Sequence, residues 1–296
     1  MSDPEFRFLL ETDSPRLDRA VADHTERGRR AVRQWFEQGR VRLDGWIAAA
    51  ADSGQSGSEV TIDAPPLSPS TRLDLAILFE NPRLVVVDKP AGMHSEKGKG
   101  THSVADALEH RYGNLSDVGE REAESGLVHR LDQDTSGLLV AARDREMYQN
   151  LRDLFRGGGA TKGYLALVLG RIDADLDVDS PLRRSANRMV AAGWSHEDEA
   201  LPARTFFEPL EATDEWSLVS VTMRTGVMHQ IRAHAAHAGH PLIGDTLYDG
   251  PELPGCRRRG QLLHAFRVRI GTEVDICVGP PGDFLEAYAL LQRRGR

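Results

Sequence analysis

Pro65-Pro66-Leu67-Ser68-Pro69 is the feature that most restricts how this 296-residue chain can fold. Three prolines in five residues remove three backbone donors and fix three φ angles, so neither a helix interior nor a central strand can run through them. Two bodies are therefore expected: a small one over residues 14–64 and a large one over 72–291, joined by a linker at 65–71. With 40% hydrophobic and 28% charged residues, both have the composition of ordinary globular domains, not of disordered, collagenous or coiled-coil chains. No apolar run reaches the ~18 residues of a spanning helix, and Met1-Ser2-Asp3-Pro4-Glu5 carries neither the basic nor the apolar part of a signal peptide. A cytoplasmic protein is expected. Cys256 and Cys277 lack the number and spacing of a disulfide framework or a CxxC site.

A net charge of −8 counts against nucleic-acid binding only if the charge is spread evenly. Between residues 14 and 46, eight arginines face five acidic residues, so this stretch is locally basic. Ala31, Val32, Trp35 and Phe36 follow the i, i+3, i+4 spacing of one buried helical stripe, and Arg29, Arg30 and Arg33 fall largely off it. Gly39 is placed to stop that helix, Val41–Leu43 reads as a short strand, and Asp44-Gly45 as a tight turn. The segment from Arg16-Leu17-Asp18 to Gly39-Arg40-Val41-Arg42-Leu43-Asp44-Gly45 resembles the S4 RNA-binding domain. That resemblance implies a small α/β module whose RNA contacts include Arg16, Arg30, Arg33 and Arg40. A merely solvated helical face is the other reading of the same charges. Residues 48–58, rich in Ala, Ser and Gly, are expected to form a loosely packed surface loop.

From about Arg72 onward, short β-like runs alternate with helical ones. Strands are predicted at 84–88, 138–142, 164–169, 216–223 and 267–278, and helices near 103–110, 145–155, 229–238 and 284–291. This is an α+β or mixed α/β pattern, and GxGxxG, GxxxxGK[ST] and HExxH are all missing from it. The densest polar cluster, His129-Arg130-Leu131-Asp132-Gln133-Asp134-Thr135-Ser136-Gly137, runs straight into the apolar Leu138–Ala142. Carboxylates feeding a buried strand sit at the mouth of a sheet, where a rigid support can hold a catalytic group; Arg130 is a nearby partner that would keep Asp132 ionised. A local turn, with either aspartate bonding nearby backbone N–H groups, remains equally open.

His129–Val140 resembles the "H-R-L-D-x-x-T-S-G-L-L" signature of the RluA-type pseudouridine synthases. Ile77–Glu80 with Val85–Met93, Lys162–Gly170, and Arg224–His234 with Gly239–Tyr248 are similar to that family's other motifs, in the same order. The likeness covers about residues 72–291. It implies a largely antiparallel mixed sheet and catalytic roles for Asp132 (nucleophile), Tyr164 (against the base) and Arg232 (partner of Asp132). Arg130, His129, Lys162, Arg224, His229 and Gln230 would contact substrate or RNA. Alternation in Lys162–Gly170 places Leu165, Leu167 and Leu169 on one face and Tyr164 on the other. Val227-Met228 stands where the family usually has Arg-Thr or Arg-Ser, so one RNA contact is missing, which Arg224 could partly replace.

His229, His234, His237 and His240 do not make a metal set: Gly239 is placed to end the helix before His240, and no Cys joins them. The resemblance implies a cofactor-independent RNA pseudouridine synthase, monomeric, acting on structured RNA, with the S4-like segment pointing to 23S ribosomal RNA. A transfer-RNA pseudouridine synthase, a non-catalytic RNA-binding or ribosome-assembly factor, and an N-glycosidase using the same aspartate are the alternatives.

Overall fold

The computed structural model describes residues 6–25, 28, 32–33, 35–36, 39–63, 75–98, 102–192, 200–223, 225–272 and 274–294. The chain divides into two compact units, Met1–Leu73 and Asp74–Arg296. The expected linker at 65–71, Arg30 and Arg224 lie outside the described residues.

In the first unit, β1 (Phe6–Leu9), α1 (Leu17–Thr25), β2 (Val41–Leu43), β3 (Trp46–Ile47) and β4 (Glu59–Ile62) form an antiparallel sheet, order β1-β4-β2-β3, with a helix against it. Val60 and Ile62 alternate with half-buried residues and meet Leu17, Val21, Val32, Trp35 and Val41 in one core. Gly39 has φ +64°, and Asp44 and Gly45 have φ 50° and 87°. Two successive positive φ values are what a two-residue hairpin turn needs, which is why Asp-Gly works there.

Three readings of this unit need correction. A strand, β1, lies ahead of residue 14 and pairs with β4 from Phe6↔Ile62 to Leu9↔Glu59. The 48–58 segment is not loose: Ala48 is buried, Ser14 and Gly54 form a bridge, and a Cβ on Gly54 would stand 2.3 Å from Leu10 Cδ1. Arg40 does not face solvent. Its Nε donates to the Asp63 carbonyl at 2.9 Å and its guanidinium lies 5.8 Å from the Trp35 ring centre, so it is a buried structural cation, not an RNA contact.

The second unit contains β5 (Ala76–Glu80), β6 (Leu84–Lys89), α2 (Val104–Tyr112), β7 (Ser136–Ala142), α3 (Arg145–Arg156), β8 (Ala160–Leu169), β9 (Leu176–Asp179), β10 (Leu182–Ser185) and β11 (Arg188–Ala191). It continues with β12 (Arg204–Ala212), β13 (Trp216–Met223), α4 (Gln230–His237), β14 (Leu263–Ile270), β15 (Val274–Cys277) and α5 (Gly282–Arg294). Its main sheet runs β5-β6-β7-β14-β8-β13-β12-β9, with β15 on β14, and β10-β11 forms a separate ribbon. Among the described strands of this sheet only β7 and β14 pair in parallel, over two residue pairs, so the sheet is mixed and largely antiparallel within an α+β unit. Every residue of β7 is buried, because α3 covers one face and both edges are paired. The strand predicted at 267–278 is two: Gly271, at φ 55°, turns β14 into β15.

Along β8 the two faces separate as alternation requires. Tyr164, Ala166 and Val168 join the main core, whereas Leu167 packs with Trp216, Phe284 and Leu291 under α5. Side chains on the Tyr164 face border the cleft described next.

Candidate active site

A cleft of about 660 Å³ opens in the second unit between the loop entering β7, the C-terminal end of α3, the start of β8 and the start of α4. Asp132 stands on the entering loop, with its side chain one-fifth exposed. That loop is pinned from several directions. Ser95 Oγ donates to the Leu131 carbonyl at 2.7 Å and accepts from the Leu131 N–H at 3.0 Å. Lys89, fully buried, donates to the carbonyls of Pro90, Met93 and Gln133 at 2.9, 2.7 and 2.8 Å. Arg258, with no exposed side-chain surface, donates to the carbonyls of Asp134 and Leu263, both at 2.9 Å, and to Ser136 Oγ at 3.2 Å. Two buried cations thus hold successive carbonyls just after Asp132, a rigid mounting for a functional side chain. Burial pulls the Lys89 ammonium down to about 7, opposed chiefly by Asp134. Gly137 finishes the loop at φ 113°; a Cβ there would lie 2.2 Å from the Ala265 carbonyl oxygen, so only glycine lets β14 approach.

One oxygen of Asp132 is anchored and the other is open. Arg232, in the first turn of α4, places Nη1 3.0 Å from Asp132 Oδ2 and grips Asp245 with Nε–Oδ2 at 2.6 Å and Nη2–Oδ1 at 2.7 Å. The guanidinium also lies 5.0 Å from the Tyr248 ring centre. Burial opposes its charge, but Asp245 and then Asp132 outweigh burial and raise its pKa. Asp132 Oδ1 faces His229 Nε2 at 3.7 Å, too long for a hydrogen bond and wide enough to leave the oxygen available. His229 sits at φ 54°, the left-handed region, and its Nδ1 lies 3.1 Å from Tyr248 Oη, which accepts from the Met189 N–H at 2.8 Å. Burial lowers the His229 pKa, with Asp132 opposing, so the imidazole is neutral at pH 7.

Tyr164 is 2% exposed and borders the cleft; burial first, and then the charge of Asp132, push its hydroxyl pKa up and keep it a neutral phenol. His129 Nε2 accepts from the Val140 N–H at 3.2 Å, leaving Nδ1 buried with no partner among the described residues, and burial with Lys162 and Arg152 nearby holds its pKa well down. Phe155, at 5.1 Å from the His129 ring, and Lys162 complete that wall.

Asp132, Tyr164, Arg232, His129, Arg130, Lys162 and His229 all line this cleft. The local-turn reading fails for the carboxylate: the turn is closed by the Asp132 carbonyl accepting from the Thr135 N–H at 3.1 Å. Arg130 does not pair with Asp132; it reaches Glu96 at 3.3 Å instead, because the side chains diverge along the loop. Gln230 is not available to substrate. It accepts from Thr225 Oγ1 and the Val227 N–H and donates to the Arg204 carbonyl and Thr205 Oγ1, which uses every polar atom of its amide. His234 bonds Thr205 Oγ1 and the Ser180 carbonyl, both at 2.8 Å, and no group of potential metal ligands occurs among the described residues. In the first unit Arg16 is tied to Asp18 at 2.9 Å and Arg33 is exposed. Asp245, Tyr248, Lys89 and Arg258 escaped the sequence reading as site residues; the fully apolar run Leu84–Val87 ahead of Lys89 was the available hint that this lysine is buried.

Residues 83–237 match the RNA pseudouridylate synthase family. An uncharacterized RNA pseudouridine synthase of Chloroflexus aurantiacus is 35% identical, with 84% of this chain and 80% of that protein covered. The ribosomal large subunit pseudouridine synthase D of Nitrosomonas europaea is 34% identical, with 86% of this chain and 76% of that protein covered. Among solved structures, human RNA pseudouridylate synthase domain containing 4 superposes with a TM-score of 0.59 at 25% identity, with 73% of this chain and 93% of that one covered.

Proposed function

The chain belongs to the RNA pseudouridylate synthase family and is an isomerase acting on RNA, and from that premise we propose that Asp132 drives the isomerisation of a uridine in large-subunit ribosomal RNA. The observation that carries this reading is the carboxylate itself: Oδ2 is held by Arg232 at 3.0 Å while Oδ1 opens into the cleft. The target uridine is flipped into the cleft at a cost of a few kcal/mol of unstacking. The N1–C1′ bond then breaks, a C5–C1′ bond forms, the C5 proton leaves and N1 gains one. The Asp132 carboxylate serves either route to bond cleavage, attack at C1′ or removal of the C2′ proton, and Arg232, 3.0 Å from Oδ2, holds it aimed. Tyr164 lies against the base. The freed uracil has to stay bound while it turns, which the walls of the cleft support by keeping its effective concentration high.

Arg130, Arg152, Arg156, Lys162 and Arg232 line the cleft against Asp132, so a protein of net charge −8 presents its cations where RNA has to enter. Ribosomal RNA as substrate is supported by the name of the Nitrosomonas relative and by the S4-like first unit, whose exposed Arg33 and half-exposed Arg16 we assign to RNA. The protein acts without a cofactor and as a monomer in this reading. The test is tritium release from 23S ribosomal RNA transcribed with [5-³H]uridine. Wild type should release tritium and Asp132→Asn should not; release that survives the substitution overturns the assignment. Pseudouridine mapping in a deletion strain should show a site missing from large-subunit RNA, and a site missing from transfer RNA instead refutes the substrate.

A further inference from the structure

Of the five cations lining the cleft, four are answered by carboxylates. Arg130 pairs with Glu96 at 3.3 Å, Arg152 and Arg156 with Glu120 at 3.4 and 3.3 Å, and Arg232 with Asp132 and Asp245. Lys162 is different. It is half-buried in the cleft wall, and its ammonium has only the Phe155 ring, 5.4 Å from the ring centre, as a favourable contact among the described residues. Its neighbours add no negative charge: His129 is neutral and Arg152 is cationic. A desolvated ammonium without an anion is costly, and folded proteins normally pair it. Beside it lie two buried nitrogens, His129 Nδ1 and Arg152 Nε, that have no hydrogen-bond partner among the described residues.

Position says which anion. Lys162 and Tyr164 are two residues apart on one face of β8, so their Cα atoms lie about 7 Å apart. Tyr164 is close enough to Asp132 for that charge to act on its hydroxyl. Lys162 and Phe155 thus form a stretch of cleft wall next to the Asp132 and Tyr164 end. We propose that Lys162 is the seat of a phosphodiester flanking the target uridine, an anion site for a cation that no carboxylate among the described residues answers. This rests on the reading of the cleft as the uridine pocket.

The test compares uridine with uridine 3′-monophosphate and uridine 5′-monophosphate as ligands of the full-length chain, by ligand-detected magnetic resonance titration. Wild type should bind one of the two monophosphates about tenfold more tightly than uridine, the worth of one charge-assisted contact. Lys162→Met should bring that ratio below about twofold with little change for uridine itself, and Lys162→Arg should restore most of it. Lys162→Gln is a second neutral variant, and the thermal midpoints of both should not fall below that of wild type. An unchanged phosphate-to-uridine ratio in Lys162→Met overturns the proposal. Equal losses for uridine and its phosphates overturn it too, since Lys162 would then touch the base. Failure of the underlying function is seen separately, as wild type that releases no tritium from 23S transcripts.

Discussion

Replacing Asp245 with Asn tests whether Asp132 is held in place through Arg232. Asp245 has 1% of its side chain exposed and Arg232 has 9%, and two bonds of 2.6 and 2.7 Å join them. Asn keeps the shape but presents an N–H₂ to a guanidinium that can only donate, so one bond becomes a repulsion and a buried cation loses half of its neutralisation. Breaking a buried pair from one side costs about 3–5 kcal/mol. In a unit of this size that lowers the thermal midpoint by about 6–20 °C, at 2–4 °C per kcal/mol. Arg232 would then turn toward Asp132, its remaining carboxylate, and carry that carboxylate with it. A displacement of about 1 Å at a reacting group costs about 100-fold in rate, so kcat should fall by about that factor while KM moves little. Calorimetry reads the first number and tritium release under saturating RNA the second. An Asp245→Asn protein that melts with wild type, or that melts lower with undiminished kcat, refutes the reasoning.

Arg258→Met removes the donor for the Asp134 and Leu263 carbonyls and should cost about 2–3 kcal/mol, with kcat reduced because the loop after Asp132 loosens; an unchanged melting temperature would contradict this. Gly260→Ala puts a Cβ 2.5 Å from the Asp134 side chain at φ +75°, so about 2–4 kcal/mol of stability should be lost along with activity, and a fully active alanine variant would show that Asp134 can yield. Lys162 also predicts a pH effect. Burial lowers its pKa from 10.5 to about 8, so between pH 8 and 10.5 the unfolded chain binds more protons than the folded one and this group's contribution to stability rises with pH. Phosphate binding runs the other way, because kcat/KM reports the free enzyme and should fall above about pH 8 in wild type but not in Lys162→Arg. The groups facing Lys162 are neutral His129, Arg152 and Arg156 of α3, and Tyr164, whose phenol is held neutral, so an inflection shared by both proteins would assign the titration elsewhere.

Much of the fold is legible in the sequence. Proline clustering pointed to two bodies, period-two alternation placed Tyr164 and Leu167 on opposite faces of β8, and Asp44-Gly45 forced its turn, because each of these follows from local backbone geometry. The family resemblance implied that Asp132 and Arg232 are partners, and the fold places them 3.0 Å apart. What one element's pattern cannot encode is which other element it meets. A hundred residues separate Asp132 from Arg232, and Lys89 and Arg258 reach the carbonyls after Asp132 from 44 and 124 residues away. Charge misled for the same reason: Arg40 read as an RNA contact and Arg130 as the partner of Asp132, until the fold brought Asp63 and Trp35 to the one and Glu96 to the other. The types of the reacting groups, and the faces they occupy, were therefore set by the sequence alone. Tertiary packing alone decided which charges are spent within the protein and which, as with Lys162, are left for a ligand, since pairing depends on distance in space and burial, neither of which is a property of a segment.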